Sequence, residues 1–294
     1  ADLAGSALQA TGHGRHLTRK LAAALEAAAG ALAEHARRGR FRPVATEVPF
    51  GPEGRLPGIA IDLVGGRRVE VRGRIDRLDA VDTADGVFLL VIDYKRSSQD
   101  LSPDDVELGL ALQLALYLAV ATREGAGLIG LQADAAGRIR PGGMLYFPVQ
   151  PGWTTLREAP DPAAAERELL RAHRTRGLLN AEAARRGLFE TVPGHSPIVP
   201  LRLAKDGSPV AAQSRLAEPD RLDELLGRAL AAAEGLGEAI LAGQVALAPY
   251  RMKDRAACQR CEYRPVCRFE PALGDAYRDL PAAAGGEEDS GGES

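Results

Sequence analysis

A chain of 294 residues, 45% hydrophobic and 26% charged, is long enough for one large domain with appendages and apolar enough for a substantial core. Its net charge of −3 excludes a global basic field, so any contact with nucleic acid must rest on local patches. The uncharged, apolar run of 15 residues from Leu108 to Thr122 is too short to span a membrane; with no signal-peptide pattern, the expectation is a soluble cytoplasmic fragment whose true start lies upstream.

Leu17, Leu21, Leu25, Ala28 and Leu32 fall at helical spacing, which predicts a long amphipathic helix over Arg15 to Arg38 within an amino-terminal helical segment, 1–40. His13 and His16 near its start read as solvated. Arg42 to Phe50 reads as a strand, ended by Pro49 and Gly51-Pro52, with Glu47 on the face opposite Val48. A second strand is expected from Ile59 to Val64, closed by Gly65-Gly66.

Val69 to Lys95 organises the rest. Two runs rich in Val, Ile and Leu flank Asp82-Thr83-Ala84-Asp85-Gly86, the pattern of an antiparallel hairpin. In the second run Phe88, Leu90 and Ile92 face one way and Val87, Leu89 and Val91 the other, so the strand should be buried on both sides. Yet it ends in Asp93-Tyr94-Lys95, which projects a carboxylate and an ammonium from one face. A turn at Ala84-Asp85 sets Asp76 across from Asp93; a turn at Asp85-Gly86 sets it across from Lys95. A lone D-x-K is read first as an ion pair that ends a strand, but two acids and an amine together call for a divalent cation such as Mg²⁺.

Beyond Lys95, Arg96-Ser97-Ser98-Gln99 is a polar loop with donors suited to a phosphodiester. Ser102 as N-cap and Pro103 at the first helical position open a helix expected to run to about Arg123 and to be buried from Leu108 onward. Within it Gln113 and Tyr117 share a face, either as a satisfied core contact or as partners of the neighbouring charged strand end. Met144 to Val149 reads as a further strand of a mixed sheet. Pro160 to Arg186 reads as helical and opens a helical insertion expected over about 160–243, with 187–217 loop-like and 220–243 helical again. Arg171, Arg174, Arg176, Arg185 and Arg186 could face DNA or, interleaved with Glu166, Glu168 and Glu182, form a solvated helix face. In 251–275, Cys258-x2-Cys261-x5-Cys267 is a poor disulfide framework and a better metal site, although zinc or an iron–sulfur cluster would each need a fourth ligand. The tail, 276–294, is expected to be disordered.

The ordered set Gly73-Arg74-Ile75-Asp76-Arg77, Ile92-Asp93-Tyr94-Lys95 and Gln113-x3-Tyr117 resembles the RecB-type branch of the PD-(D/E)XK nuclease superfamily. Joined with Glu47-Val48-Pro49-Phe50-Gly51, the run Gly109 to Gln113 and the cysteine spacing, it resembles the nuclease domain of the B subunit of bacterial AddAB helicase-nucleases over most of residues 40–270. The resemblance implies an α/β, restriction-endonuclease-like core over 41–250, a central mixed sheet flanked by helices, with a cysteine iron–sulfur module behind it. It implies Mg²⁺-dependent exonuclease action on single-stranded DNA in double-strand break repair and recombination, beside an AddA-like partner subunit. Asp76 and Asp93, with the Tyr94 carbonyl, would hold Mg²⁺; Lys95 would act on the attacking water and the phosphate; Gln113 and Tyr117 would support that geometry. Glu47 stays open between a metal-facing acid and a surface carboxylate. Cys258, Cys261 and Cys267, with a fourth cysteine far upstream in a longer chain, would bind a [4Fe–4S] cluster. The family's motif histidine is not carried over to His13 or His16, whose surroundings lack the apolar context. Two rivals stand beside this reading: a catalytically silent DNA-binding or structural module, against which intact Asp76, Asp93 and Lys95 argue, and a free-standing RecB-like exonuclease, which would carry all four cysteines in one short chain.

Overall fold

The computed structural model describes residues 11–131, 137–150, 161–253 and 255–281. Its first element is α1 (Gly12–Arg38), whose N-cap Thr11 accepts a hydrogen bond from the Gly14 N–H at 3.0 Å. The helix is as expected, but its leucine stripe is not its packing face. Ala28 and Ala31 are buried while Leu17, Leu21 and Leu25 stay exposed, because small residues let the second half of the helix approach the sheet closely.

Strand β1 (Arg42–Phe50) follows, then β2 (Ile59–Asp62), β3 (Arg68–Val71), β4 (Gly73–Thr83) and β5 (Gly86–Lys95). The apolar run that opens at Val69 is therefore two strands. β3 pairs with β2 in a separate two-stranded sheet, and only β4 pairs with β5. The β4–β5 register pairs Thr83 with Gly86, leaving Ala84-Asp85 as the two-residue turn. Alternation along β5 is as read from the sequence: Val87, Leu89 and Val91 belong to one core, Phe88, Leu90 and Ile92 to the other.

The single helix expected from Ser102 to about Arg123 is broken in two, α2 (Pro103–Glu107) and α3 (Gln113–Glu124). Gly109 takes a left-handed φ of 75° just past the end of α2, and the Leu110 and Ala111 N–H groups turn back to the Asp105 carbonyl. Ser102 makes no side-chain cap bond. Strand β6 (Ile139–Pro148) begins earlier than the Met144 expected and runs parallel to β5, so the chain between them is a crossover.

After α4 (Pro162–Ala172) the sequence read as helical to Arg186 instead forms β7 (Arg176–Asn180) and a short α5 (Ala181–Arg185). Leu178 and Leu179 bury on opposite faces of the sheet, one in each core, which is the period of a strand. A hairpin of β8 (Gly194–His195) and β9 (Arg202–Leu203) and the edge strand β10 (Leu216–Ala217) precede α6 (Pro219–Leu241). The stretch expected as a helical insertion thus supplies two strands of the central sheet, whose order is β1-β4-β5-β6-β7-β10.

This mixed sheet is sandwiched. α3 and α6 cover one face through Leu114, Leu118, Leu222 and Leu225, and α1 covers the other against Phe88 and Phe147. Behind it, β11 (Tyr250–Met252), β12 (Arg255–Ala256) and β13 (Arg278–Asp279) form a three-stranded sheet around the cysteine segment, which holds α7 (Arg264–Cys267). Arg255 Nη1 donates to Asp105 Oδ2 at 3.0 Å and ties this module to α2. The expected disordered tail falls, from residue 282, outside the described residues. Among those described, no helix is long and apolar enough to cross a membrane.

Candidate active site

Continuing the β4–β5 ladder one residue past Arg77 and Ile92 sets Asp76 opposite Asp93. The two are linked through the backbone as well, since Asp76 Oδ2 accepts the Tyr94 N–H at 2.8 Å. Asp93 is 2% exposed. Burial pushes its pKa above the ordinary carboxylate value, Lys95 pulls it down, and nearby Asp76 adds to the rise. Lys95 Nζ stands 2.6 Å from Asp93 Oδ2 as an ion pair and donates its hydrogen bond to Gln113 Oε1 at 2.9 Å. Apart from this ammonium, the buried Asp93 Oδ2 meets no donor among the described residues.

The helix break decides what meets this cluster. Because α3 starts at Gln113, that residue stands at the helix end beside Lys95 and is exposed, where the sequence suggested a buried amide. Its Nε2 donates to the Tyr117 hydroxyl one turn along, at 3.1 Å. Tyr117 in turn lies edge-on to Phe50, ring centroids 5.5 Å apart. Gly73 lies beneath both rings: a Cβ there would meet Phe50 at 2.9 Å and Tyr117 at 3.3 Å, which accounts for the glycine that opens the G-R-I-D-R segment.

Sequence reasoning missed Tyr146. It pairs with Asp93 across the β5–β6 ladder, is buried, and places its ring 5.2 Å from Lys95 Nζ. Burial and the Asp93 carboxylate push its pKa up to about 12, so it stays a neutral phenol. Reading Met144 to Val149 as a strand put Tyr146 in the sheet, but nothing local announced its pairing with β5.

Glu47 stands apart from the acid pair. The β1–β4 ladder puts its backbone opposite Asp76, but its φ of 49° is left-handed within a strand, and its carboxylate, 64% exposed, lies 3.3 Å from Arg74. Arg77 is buried and forms a two-pronged ion pair with Asp79, at 2.6 and 2.7 Å. His13 and His16 are exposed.

Two opposed carboxylates, one with a buried oxygen met only by the Lys95 ammonium, fit a hard dication that would keep several waters and take its remaining ligands from a phosphate. Among the described residues no group of three or more His, Cys, Asp or Glu gathers as a metal site. The same holds for Cys258, Cys261 and Cys267, which are free thiols and do not converge as a ligand group.

Two acids and a lysine presented in this way from the end of a mixed sheet suit the hydrolysis of a phosphodiester, the chemistry of a nuclease. The chain belongs to the PD-(D/E)XK nuclease superfamily, whose family model matches residues 2–268, as the motif resemblance implied. It is similar to the B subunit of the ATP-dependent helicase/deoxyribonuclease of Desulforudis audaxviator (strain MP104C), 42% identical over 277 residues, 93% of this chain and 23% of that protein. The corresponding protein of Moorella thermoacetica (strain ATCC 39073 / JCM 9320) is 41% identical over 272 residues, 90% of this chain and 23% of that protein. That of Symbiobacterium thermophilum is 39% identical over 291 residues, 94% and 24% of the two. The chain therefore spans about a quarter of the length of these relatives.

Proposed function

We propose that this chain is the nuclease domain of a helicase–nuclease subunit that hydrolyses phosphodiester bonds of single-stranded DNA in double-strand break repair, beside an AddA-like partner. The observation that carries the reading is the buried carboxylate of Asp93, paired with the Lys95 ammonium at 2.6 Å and set opposite Asp76 in the β4–β5 ladder. The helicase/deoxyribonuclease activity for which the relatives are named supports the substrate and the setting.

Asp76 and Asp93 would hold Mg²⁺, which when bound supplies positive charge at the scissile phosphate and acidifies a water. The Tyr94 N–H fixes Asp76 for that role, leaving its other oxygen free. Lys95 orients the attacking water and offsets charge on the phosphate; the water's oxygen bonds to phosphorus as the P–O bond to the leaving strand breaks, one proton leaving the water and one reaching the departing oxygen. Gln113, itself bonded to Tyr117, holds the ammonium in place. In the complete protein with its partner subunit, a chelator is expected to stop degradation of single-stranded DNA and added Mg²⁺ to restore it; cleavage that persists in chelator would overturn the reading.

Cys258, Cys261 and Cys267, with a fourth thiolate from elsewhere in the longer protein, would bind a [4Fe–4S] cluster, the C-x2-C-x5-C loop ordering around it as it binds. Iron and acid-labile sulfide are expected in the complete protein and should disappear on Cys261→Ser. Stoichiometric zinc instead would replace this assignment.

A further inference from the structure

Along the sheet from the acid pair lies a second concentration of charge. Asp93 pairs with Tyr146, and Tyr146 pairs with Arg176, so Arg176 begins β7 in the same row of the sheet that holds Asp93. Two strand spacings put it roughly 10 Å away. A cleft of about 610 Å³ opens there, bordered by Arg171, Arg174, Arg176, His195 and Arg215 and by Ser98 of the polar loop that follows Lys95.

Arginines elsewhere on the surface are commonly matched to acids. Arg185 forks onto Glu218 and Arg186 reaches Asp85 and Glu182, which takes these two out of any DNA-facing patch. The cleft differs. Asp100 is the one acid among its lining residues, 3.5 Å from Arg215, whose Nη2 also donates to the Leu101 carbonyl at 2.7 Å. Arg171 pairs with Glu168 at 2.7 Å. Arg174 is half-buried, its Nε held by the Val199 carbonyl at 2.9 Å, and among the described residues neither it nor Arg176 forms an ion pair. Burial, and then the like charges of Arg176 and Arg171, lower the pKa of Arg174, so the cluster is strained toward taking up an anion.

We propose that this cleft binds the phosphodiester backbone of the strand being cut, at phosphates a short step along from the scissile one. The inference rests on the nuclease reading and extends it by naming the residues that position the strand. Guanidiniums drawn from α4, β7 and the segment before β10, with the Ser98 hydroxyl beside them, suit an extended polyanion more than a single small anion. The chain's net charge of −3 gives no general attraction, so a local cleft of this kind is what DNA contact requires.

The test uses the complete protein carrying Asp93→Ala, so that the strand survives, and a fluorescent oligodeoxynucleotide titrated across salt concentrations. Each phosphate that is no longer neutralised lowers the slope of log affinity against log salt by about 0.7 for a single strand. Arg174→Gln with Arg176→Gln is expected to weaken several oligonucleotide sequences alike and to lower that slope by about 1.4. The Arg174→Lys, Arg176→Lys pair keeps both charges and should keep the slope, which separates charge from any disturbance of the fold. An unchanged slope in the glutamine pair would overturn the proposal. So would inorganic phosphate binding that is lost in the glutamine pair while oligonucleotide affinity stays unchanged, which would make this a free-anion site. Failure of the nuclease reading would appear separately, as single-stranded DNA left uncut by the wild-type protein in Mg²⁺.

Discussion

Asp93→Ala is expected to lower Mg²⁺-dependent cleavage by at least about a thousandfold, because it removes a buried carboxylate that positions charge at the reacting phosphate. Lys95→Ala should cost a comparable factor by another route. Its ammonium lies between Asp93 and Gln113 and is assigned to water and phosphate, not to the metal. Calorimetric titration with a divalent ion should therefore show weakened affinity in Asp93→Ala and full affinity in Lys95→Ala. Equal weakening in the two variants would make the lysine part of the metal site, and equal cleavage by wild type and Asp93→Ala would remove the acid pair from catalysis altogether.

The second large effect concerns stability. Asp79→Ala leaves the Arg77 guanidinium, 6% exposed, without its two-pronged partner. Its other neighbours cannot take over the pair: Tyr94 offers a phenol oxygen and no carboxylate, and His35, in the same small cavity, is held neutral by burial and Arg77 with its pKa down to about 3. Breaking a buried pair on one side costs about 3–5 kcal/mol. Hydrogen exchange across β4 and β5 in the complete protein should report that destabilisation as faster opening of the hairpin. Arg77→Met with Asp79→Leu, which removes both charges, should recover most of the protection; exchange unchanged in Asp79→Ala would show the pair to be idle.

Much of the site could be read from sequence because it is local. A hairpin with a two-residue turn brings Asp76 to Asp93 by register alone, and the sequence left only two registers to choose between. The double-sided burial of β5 followed from its uninterrupted apolar run. Where pairing was non-local, the sequence was silent. Parallel contact between β5 and β6 brings in Tyr146, and Arg176 to Asn180, with helix formers on either side, became a strand only because β6 was there to pair with it. The break at Gly109 could have been suspected, since glycine favours the left-handed geometry that ends a helix, but the continuous apolar pattern from Leu108 outweighed it. Leu17, Leu21 and Leu25 kept perfect helical spacing and still stay exposed among the described residues, because spacing defines a face without saying what covers it.

The different sequence separations within the site set an order for its assembly. Asp76, Asp93 and Lys95 sit on one hairpin, whose closure costs little loop entropy, whereas Gln113, Tyr117 and Tyr146 arrive only when the crossover between β5 and β6 has closed. The two carboxylates thus meet in the folding chain before the glutamine that steadies their lysine and before the ring that covers it. Their mutual repulsion is a kinetic property of the nascent hairpin as well as an electrostatic property of the finished site, and the divalent ion proposed there would relieve both.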